Sequence, residues 1–111
     1  MTYGWPKKLT RIDLDRPTAT CSDRLSSFWD WNKIIELTYL EHIDIEDHSF
    51  YANMDNIWDT LLTQMPAFVH LDISDNQFSS NFSKVTLSSD AYIEDLWIDY
   101  NNFYNSLYQH Q

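Results

Sequence analysis

Glycine, cysteine and basic residues are scarce in this sequence of 111 residues. It has one glycine, one cysteine (Cys21), and seven lysines and arginines against 17 aspartates and glutamates. A single cysteine excludes an intramolecular disulfide and points to a reducing compartment. A single glycine excludes the glycine-rich loops that hold phosphate groups in nucleotide-binding enzymes. We therefore expect no cofactor, and catalysis finds little support.

Long apolar runs are also missing. No stretch approaches the roughly 18 residues of a membrane span, and the N-terminus lacks the apolar segment of a signal peptide. We expect a cytoplasmic protein that does not contact a membrane. The length suits a single domain over residues 1–111, with residues 1–8 as a loose lead-in.

Negative charge is concentrated after the first third of the chain. The formal net charge is −10, made up of +2 over residues 1–33 and −12 over residues 34–111. This field disfavours direct contact with nucleic acid and speeds the encounter with a basic protein. Hydrophobic residues nevertheless make up 43% of the chain and aromatic residues 16%, so we expect it to fold.

The spacing of apolar residues predicts the order strand, helix, helix, strand, helix. Alternation predicts strands over residues 9–15 and 67–73, and steps of three and four predict helices over residues 22–40, 53–65 and 89–107. Residues 41–52 and 74–83 are expected to be loops, and a short strand at 84–87 stays open. We find no internal repeat. The expected fold class is α/β, with a small sheet of two or three strands covered by about three helices.

Histidines and carboxylates give two kinds of candidate site. In the second predicted helix, Asp55 and Asp59 lie four residues apart, so both could face one ligand. Because like charges repel at that spacing, replacing either should leave stability unchanged or improved. His42 with Asp44, or His48 with Asp47, could form a metal or acid–base pair. No third partner recurs at regular spacing, so we expect no metal site.

The segment Phe50-Tyr51-Ala52-Asn53-Met54-Asp55-Asn56-Ile57-Trp58-Asp59-Thr60-Leu61 resembles the signature of barstar-family ribonuclease inhibitors. The resemblance implies a barstar-like fold. It also implies that Asp55 and Asp59, with Tyr51 and Phe50 from the preceding loop, plug the basic active site of a ribonuclease. Carboxylates would then take the place of substrate phosphates on arginine and lysine. Two neighbouring polar residues complete the expected binding set, namely Asn56 and Asp47.

The function expected from the sequence is that of a non-enzymatic inhibitor or immunity protein that occludes a ribonuclease-type toxin. One alternative is a nucleic-acid mimic, such as a phage-type inhibitor of a defence enzyme, which would spread its acidic residues over a long stripe. The other is a plain interaction subunit that uses an aromatic helix with Trp97, Tyr100 and Tyr104 as a contact surface. A homodimer would suit the second alternative.

Overall fold

The computed structural model describes residues 5–14, 26–87, 91–105 and 108–109. Short strands dominate this part of the chain, which has two short α-helices and one 3-10 turn at Phe82–Lys84. None of its helices has the length and apolar character needed to cross a membrane. The helices are α1 (Trp31–Ile34) and α2 (Trp58–Thr63). The strands, in chain order, are β1 (Arg11–Asp13), β2 (Ser27–Phe28), β3 (His42–Asp44), β4 (Phe50–Asn53), β5 (His70–Asp72), β6 (Gln77–Asn81), β7 (Thr86–Leu87), β8 (Asp95–Trp97), β9 (Asn102–Tyr104) and β10 (Tyr108–Gln109).

The strands form parallel sheets in which neighbours come from successive passes of the chain. The first sheet has the order β1-β3-β5-β8, the second has the order β2-β4-β6-β9, and β7 pairs with β10. Every pairing is parallel. The chain therefore winds through four coils, each of which adds one strand to each four-stranded sheet. This architecture is a parallel solenoid, in which each coil packs mainly on its neighbours.

A repeated residue pattern explains the coils. Residues 40–50, 68–78 and 93–103 all carry apolar side chains at the first, fourth, sixth and eleventh positions. The ninth position is His48 in the first of these segments, Asn76 in the second and Asn101 in the third. This pattern resembles that of leucine-rich repeats, L-x-x-L-x-L-x-x-N-x-L, in which stacked coils bury one continuous core.

The asparagines at the ninth position bond each coil to the one before it. The Nδ2 group of Asn76 donates to the carbonyl oxygen of Ile45 at 2.9 Å, and its Oδ1 accepts from the backbone amide of Phe50 at 3.0 Å. One coil later, Asn101 donates from Nδ2 to the carbonyl of Ile73 at 2.9 Å and accepts from the Phe78 amide at 3.0 Å. The asparagine side chains thus provide hydrogen-bond partners for backbone amides and carbonyls in the turns between the sheets.

The core lies between the two sheets and under the helices. Its apolar side chains form a single cluster. Ile43, Leu71 and Phe78 are fully buried in it, together with Met54 and Leu61 from the segment around α2. A continuous core of this kind provides the main stabilisation of the coils.

The expected fold class, a barstar-like α/β fold with a small sheet covered by about three helices, is wrong. Two parallel four-stranded sheets with two short helices take its place in the described part of the chain. The expectation of no internal repeat is also wrong, because three segments share one residue pattern. The expected loops at 41–52 and 74–83 contain strands β3, β4 and β6.

The helix expected over residues 89–107 forms two strands, β8 and β9, within its described residues 91–105. Leu96 and Ile98 are partly buried against the core, whereas Trp97 between them is 54% exposed. Such alternation is that of a strand. The three-residue step from Ile93 to Leu96 occurs in helices and also in this repeat, which explains the wrong prediction.

Other predicted elements are partly confirmed. Strand β1 lies within the segment predicted at 9–15, β5 lies within 67–73, and β7 lies within 84–87. Helix α2 occupies six residues of the predicted 53–65. Helix α1 occupies four residues of the predicted 22–40, whose proposed start at Ser22 or Asp23 lies outside the described residues, as does Cys21.

Candidate binding face of the first sheet

The first sheet turns one set of alternating side chains into the core and the other towards solvent. The inward set includes Ile12, Ile43 and Leu71, which are buried. The outward set lies between them on the same strands, with Glu46 continuing the alternation two residues after Asp44. We call the outward set the first-sheet face: Arg11, Asp13, His42, Asp44, Glu46, His70, Asp72, Asp95 and Trp97.

A ladder of three carboxylates crosses this face. Asp13 pairs in register with Asp44, and Asp44 pairs in register with Asp72. Neighbouring strands lie about 4.8 Å apart. Like charges directly opposite one another destabilise a sheet. The next position in the ladder is Trp97, whose ring is largely exposed beside Asp72. The three carboxylates therefore form a line of like charge across three adjacent strands.

Local contacts relieve part of this repulsion. Asp13 pairs with Arg11 at 3.1 Å, although both side chains are well exposed. Asp72 accepts through Oδ1 from the Ser74 amide at 3.1 Å and from the Ser74 hydroxyl at 2.7 Å. Even with these contacts, the face has five carboxylates and one guanidinium, so its potential is negative.

Two histidines lie beside the ladder. The rings of His42 and His70 are stacked, with centroids 4.0 Å apart and planes 2° from parallel. Burial lowers the pKa of His42, and the neighbouring His70 and Arg11 lower it further, against the opposing effect of Asp44 and Asp13. The Nε2 atom of His42 is buried and has no hydrogen-bond partner among the described residues. The lowered pKa favours the neutral form of the His42 ring.

Asp55, a predicted partner-binding residue, makes hydrogen bonds within the protein. It precedes helix α2 and does not share a helical face with Asp59. Its Oδ1 accepts from the Ser80 hydroxyl and from the Asn81 amide, both at 2.8 Å. Burial raises the pKa of Asp55, but these hydrogen bonds, with the nearby Lys84 charge, outweigh it and lower the pKa below the ordinary value. The carboxylate is thus held ionised by internal donors.

Asp59 has a different environment from Asp55. It is exposed on α2, where its carboxylate accepts from Thr63 Oγ1 at 3.3 Å and from Gln64 Nε2 at 3.2 Å. Asn56 is also exposed, in the turn before α2. Both side chains are thus exposed, and their predicted role in partner binding stays a prediction.

The remaining predicted residues lie on or beside the second sheet. Phe50 is partly buried and packs on Trp29 with centroids 4.8 Å apart. Tyr51 follows it on β4 and is exposed, with its ring 5.7 Å from that of Phe28. Asp47 occupies the turn between β3 and β4 with a positive φ of 60°. The structure therefore divides the predicted set between the interior, helix α2, the second sheet and the turns.

The sequence holds a signal for the ladder that the predicted helices and loops do not use. His42-Ile43-Asp44-Ile45 and His70-Leu71-Asp72-Ile73 repeat one four-residue pattern of a polar residue, an apolar residue, an aspartate and an apolar residue. Aligning these two segments would have placed the two aspartates, and the two histidines, at equivalent positions of a repeat.

Comparison with protein-family models, curated proteins and solved structures returned no match. The likeness to leucine-rich repeats is one of residue pattern alone, and a fold does not specify a ligand. The chemistry of the first-sheet face is what bears on function.

Proposed function

We propose that the protein is a non-catalytic binding protein that holds a basic segment of a partner protein on its first-sheet face. The observation that carries this proposal is the ladder of Asp13, Asp44 and Asp72, which ends at the exposed ring of Trp97. Carboxylates form strong charge-assisted hydrogen bonds with arginine and lysine. A guanidinium group also stacks favourably on an indole ring. The single cysteine favours the cytoplasm as the place of this interaction.

The scaffold supports the same proposal. Each coil presents the same position of the repeat on a neighbouring strand, so the carboxylates follow one line across the sheet. Side chains fixed on strands lose less conformational freedom on binding than side chains on loops. The net charge of −10 adds a long-range attraction that speeds encounter with a basic partner.

The narrower proposal is that the partner is a ribonuclease-type toxin whose phosphate-binding cleft receives these carboxylates. A second candidate function, a nucleic-acid mimic that occupies the basic groove of a nucleic-acid-binding enzyme, is favoured by one observation. The carboxylates extend across three coils and are not confined to one helix and its loop. Both functions require a basic partner and the same face.

Titration calorimetry with an octa-arginine peptide tests the binding face. We expect the pair Asp44→Asn and Asp72→Asn to weaken peptide binding at least tenfold, because it removes two of the three carboxylates of the ladder. The matched control is the pair Glu36→Gln and Asp59→Asn, which removes equal charge from exposed positions elsewhere. We expect this control to weaken binding less than threefold, through net charge alone.

Equal losses in the two pairs would show that charge acts without a defined face. A larger loss in the control pair would place the site at Glu36 or Asp59 and not on the first-sheet face. A pull-down followed by mass spectrometry then separates a nuclease toxin from an enzyme that works on nucleic acid by means of a basic groove.

A further inference from the structure

Three metal-ligating side chains of the first-sheet face converge at β3 and β5. His42 and His70 are register partners, and Asp44 follows His42 by two residues on the same side of β3. One ligating atom from each of these three residues lies within 4.8 Å of the other two. We propose that His42, Asp44 and His70 form a binding site for one Zn²⁺ ion. This site goes beyond the proposed function, which needs no metal.

The distances suit a zinc ion. Zinc binds imidazole nitrogen and carboxylate oxygen at about 2.0–2.2 Å, which places tetrahedral ligands about 3.4 Å apart. The three side chains lie on neighbouring strands whose backbones are fixed by the ladder of hydrogen bonds. The rings of His42 and His70 are stacked with centroids 4.0 Å apart, so both must rotate about their side-chain torsions to direct a nitrogen at one ion. Three protein ligands leave a fourth position for water or for a partner's side chain.

Both histidines are prepared to act as ligands. The Nδ1 atom of His70 lies 3.5 Å from Asp95 Oδ2, which leaves Nε2 for a metal ion. A carboxylate behind a ligating histidine fixes the ring and its tautomer in many zinc sites. The buried Nε2 atom of His42 has no hydrogen-bond partner among the residues described, so it is available as a metal ligand.

The donor set distinguishes zinc from the harder cations. Two imidazoles with one carboxylate suit zinc and its transition-metal neighbours, whereas magnesium and calcium prefer oxygen ligands alone. The adjoining group of Asp44, Glu46 and Asp72 offers carboxylate oxygens. The negative potential of this group attracts divalent cations to the face. The group has no nitrogen ligands, so it lacks the imidazoles that favour zinc. Arg11 opposes this attraction at the first strand, but it is paired with Asp13.

Titration calorimetry of the full chain with zinc chloride tests the site, with magnesium and calcium chloride as comparison titrants. We expect one zinc ion per chain and at least a hundredfold weaker binding of magnesium and calcium. His42→Ala and His70→Ala should each weaken zinc binding at least tenfold. Asp44→Asn keeps the shape of the side chain and should also weaken it, which covers the case that a histidine variant does not fold.

The matched control is His48→Asn, which removes a histidine outside the cluster. His48 occupies the ninth position of the repeat, which Asn76 holds one coil later, so asparagine preserves the local geometry. Zinc affinity should not change in this variant. Imidazole ¹⁵N spectra provide a second measurement, in which zinc should shift the signals of His42 and His70 together.

Zinc binding no stronger than that of calcium would overturn the proposal. So would zinc affinity that survives in all three cluster variants, or that falls in His48→Asn alone. Titration of the octa-arginine peptide in the presence of EDTA keeps the two proposals separate. Peptide binding that persists without metal, in a protein that does not bind zinc, would overturn the zinc site and support the proposed function.

Discussion

Asp55 Oδ1 and Ser80 Oγ are joined by a hydrogen bond of 2.8 Å that ties the turn before α2 to strand β6. The same hydroxyl accepts from Trp58 Nε1 at 3.0 Å, and Ser80 is fully buried. The Asn81 amide also donates to Asp55. The carboxylate is therefore the end of a polar network at the edge of the core. The sequence alone suggested that this position could be replaced without loss of stability, and the network leads to the opposite expectation.

Asp55→Ala should lower the free energy of unfolding by about 2 kcal/mol, because a hydrogen bond to a charged group contributes about 1.5–3 kcal/mol. Urea unfolding at pH 7, followed by tryptophan fluorescence, measures this change. The matched control is Asp59→Ala on exposed α2, which should change stability by less than about 0.5 kcal/mol. Equal effects at the two positions would show that the network around Ser80 does not stabilise the fold.

Acid should remove the contribution of Asp55. Hydrogen bonds lower its folded-state pKa below the ordinary value, so its stabilisation is fully present above about pH 4, the unfolded pKa. It is lost as the pH falls through the folded pKa, where the carboxylate becomes protonated in both states. The difference in unfolding free energy between the wild type and Asp55→Asn should thus shrink between pH 6 and pH 2.5. A difference that stays constant over this range would contradict the ionised network.

Asn76→Ala should destabilise the coils strongly. It removes the acceptor for the amides of His48 and Phe50 and the donor to Ile45, and Asn76 itself is buried. Unsatisfied buried groups cost about 1–3 kcal/mol each, so we expect a loss of at least about 3 kcal/mol in urea unfolding. Asn32→Ala, at an exposed position of α1, is the control and should cost less than about 0.5 kcal/mol.

Trp97→Ala should weaken binding of the octa-arginine peptide about two- to fivefold, since an exposed cation–π contact contributes about 0.5–1 kcal/mol. The stability of this variant should hardly change, because Trp97 is 54% exposed. Tyr39→Ala is the matched control, since Tyr39 is 56% exposed and lies outside the first-sheet face. Calorimetry that finds equal losses for the two variants would remove Trp97 from the binding face.

Association with a basic partner should slow as salt is added. The Debye length falls from about 30 Å at 0.01 M to about 8 Å at 0.15 M ionic strength, which screens the long-range field of the protein. Stopped-flow measurements with the peptide should show an association rate that drops at least tenfold over this range. An association rate that does not vary with salt would mean that the acidic charge has no steering role.

Particular residues show which elements can be predicted from the local spacing of apolar and polar side chains. Strands β1 and β5 could be predicted because apolar and polar side chains alternate through Ile12 and through Leu71. The segment with Ile93, Leu96 and Phe103 could not be assigned correctly by spacing, since its first step fits a helix as well as a repeat. Likewise, the pair of His42 and Asp44 is visible in the sequence, whereas the third residue of the cluster, His70, is brought to them only by the parallel pairing of β3 with β5.

By itself, the sequence determined the acidic character of the protein, the absence of an internal disulfide and the short alternating segments that form several strands. The tertiary structure alone decided which charges are neighbours. Asp44 and Asp72 are 28 residues apart in the chain, and so are His42 and His70, yet each pair is in direct register. The physical reason is that one coil must stack on the next to bury its apolar side chains, and parallel pairing then places equivalent residues of successive coils about 4.8 Å apart.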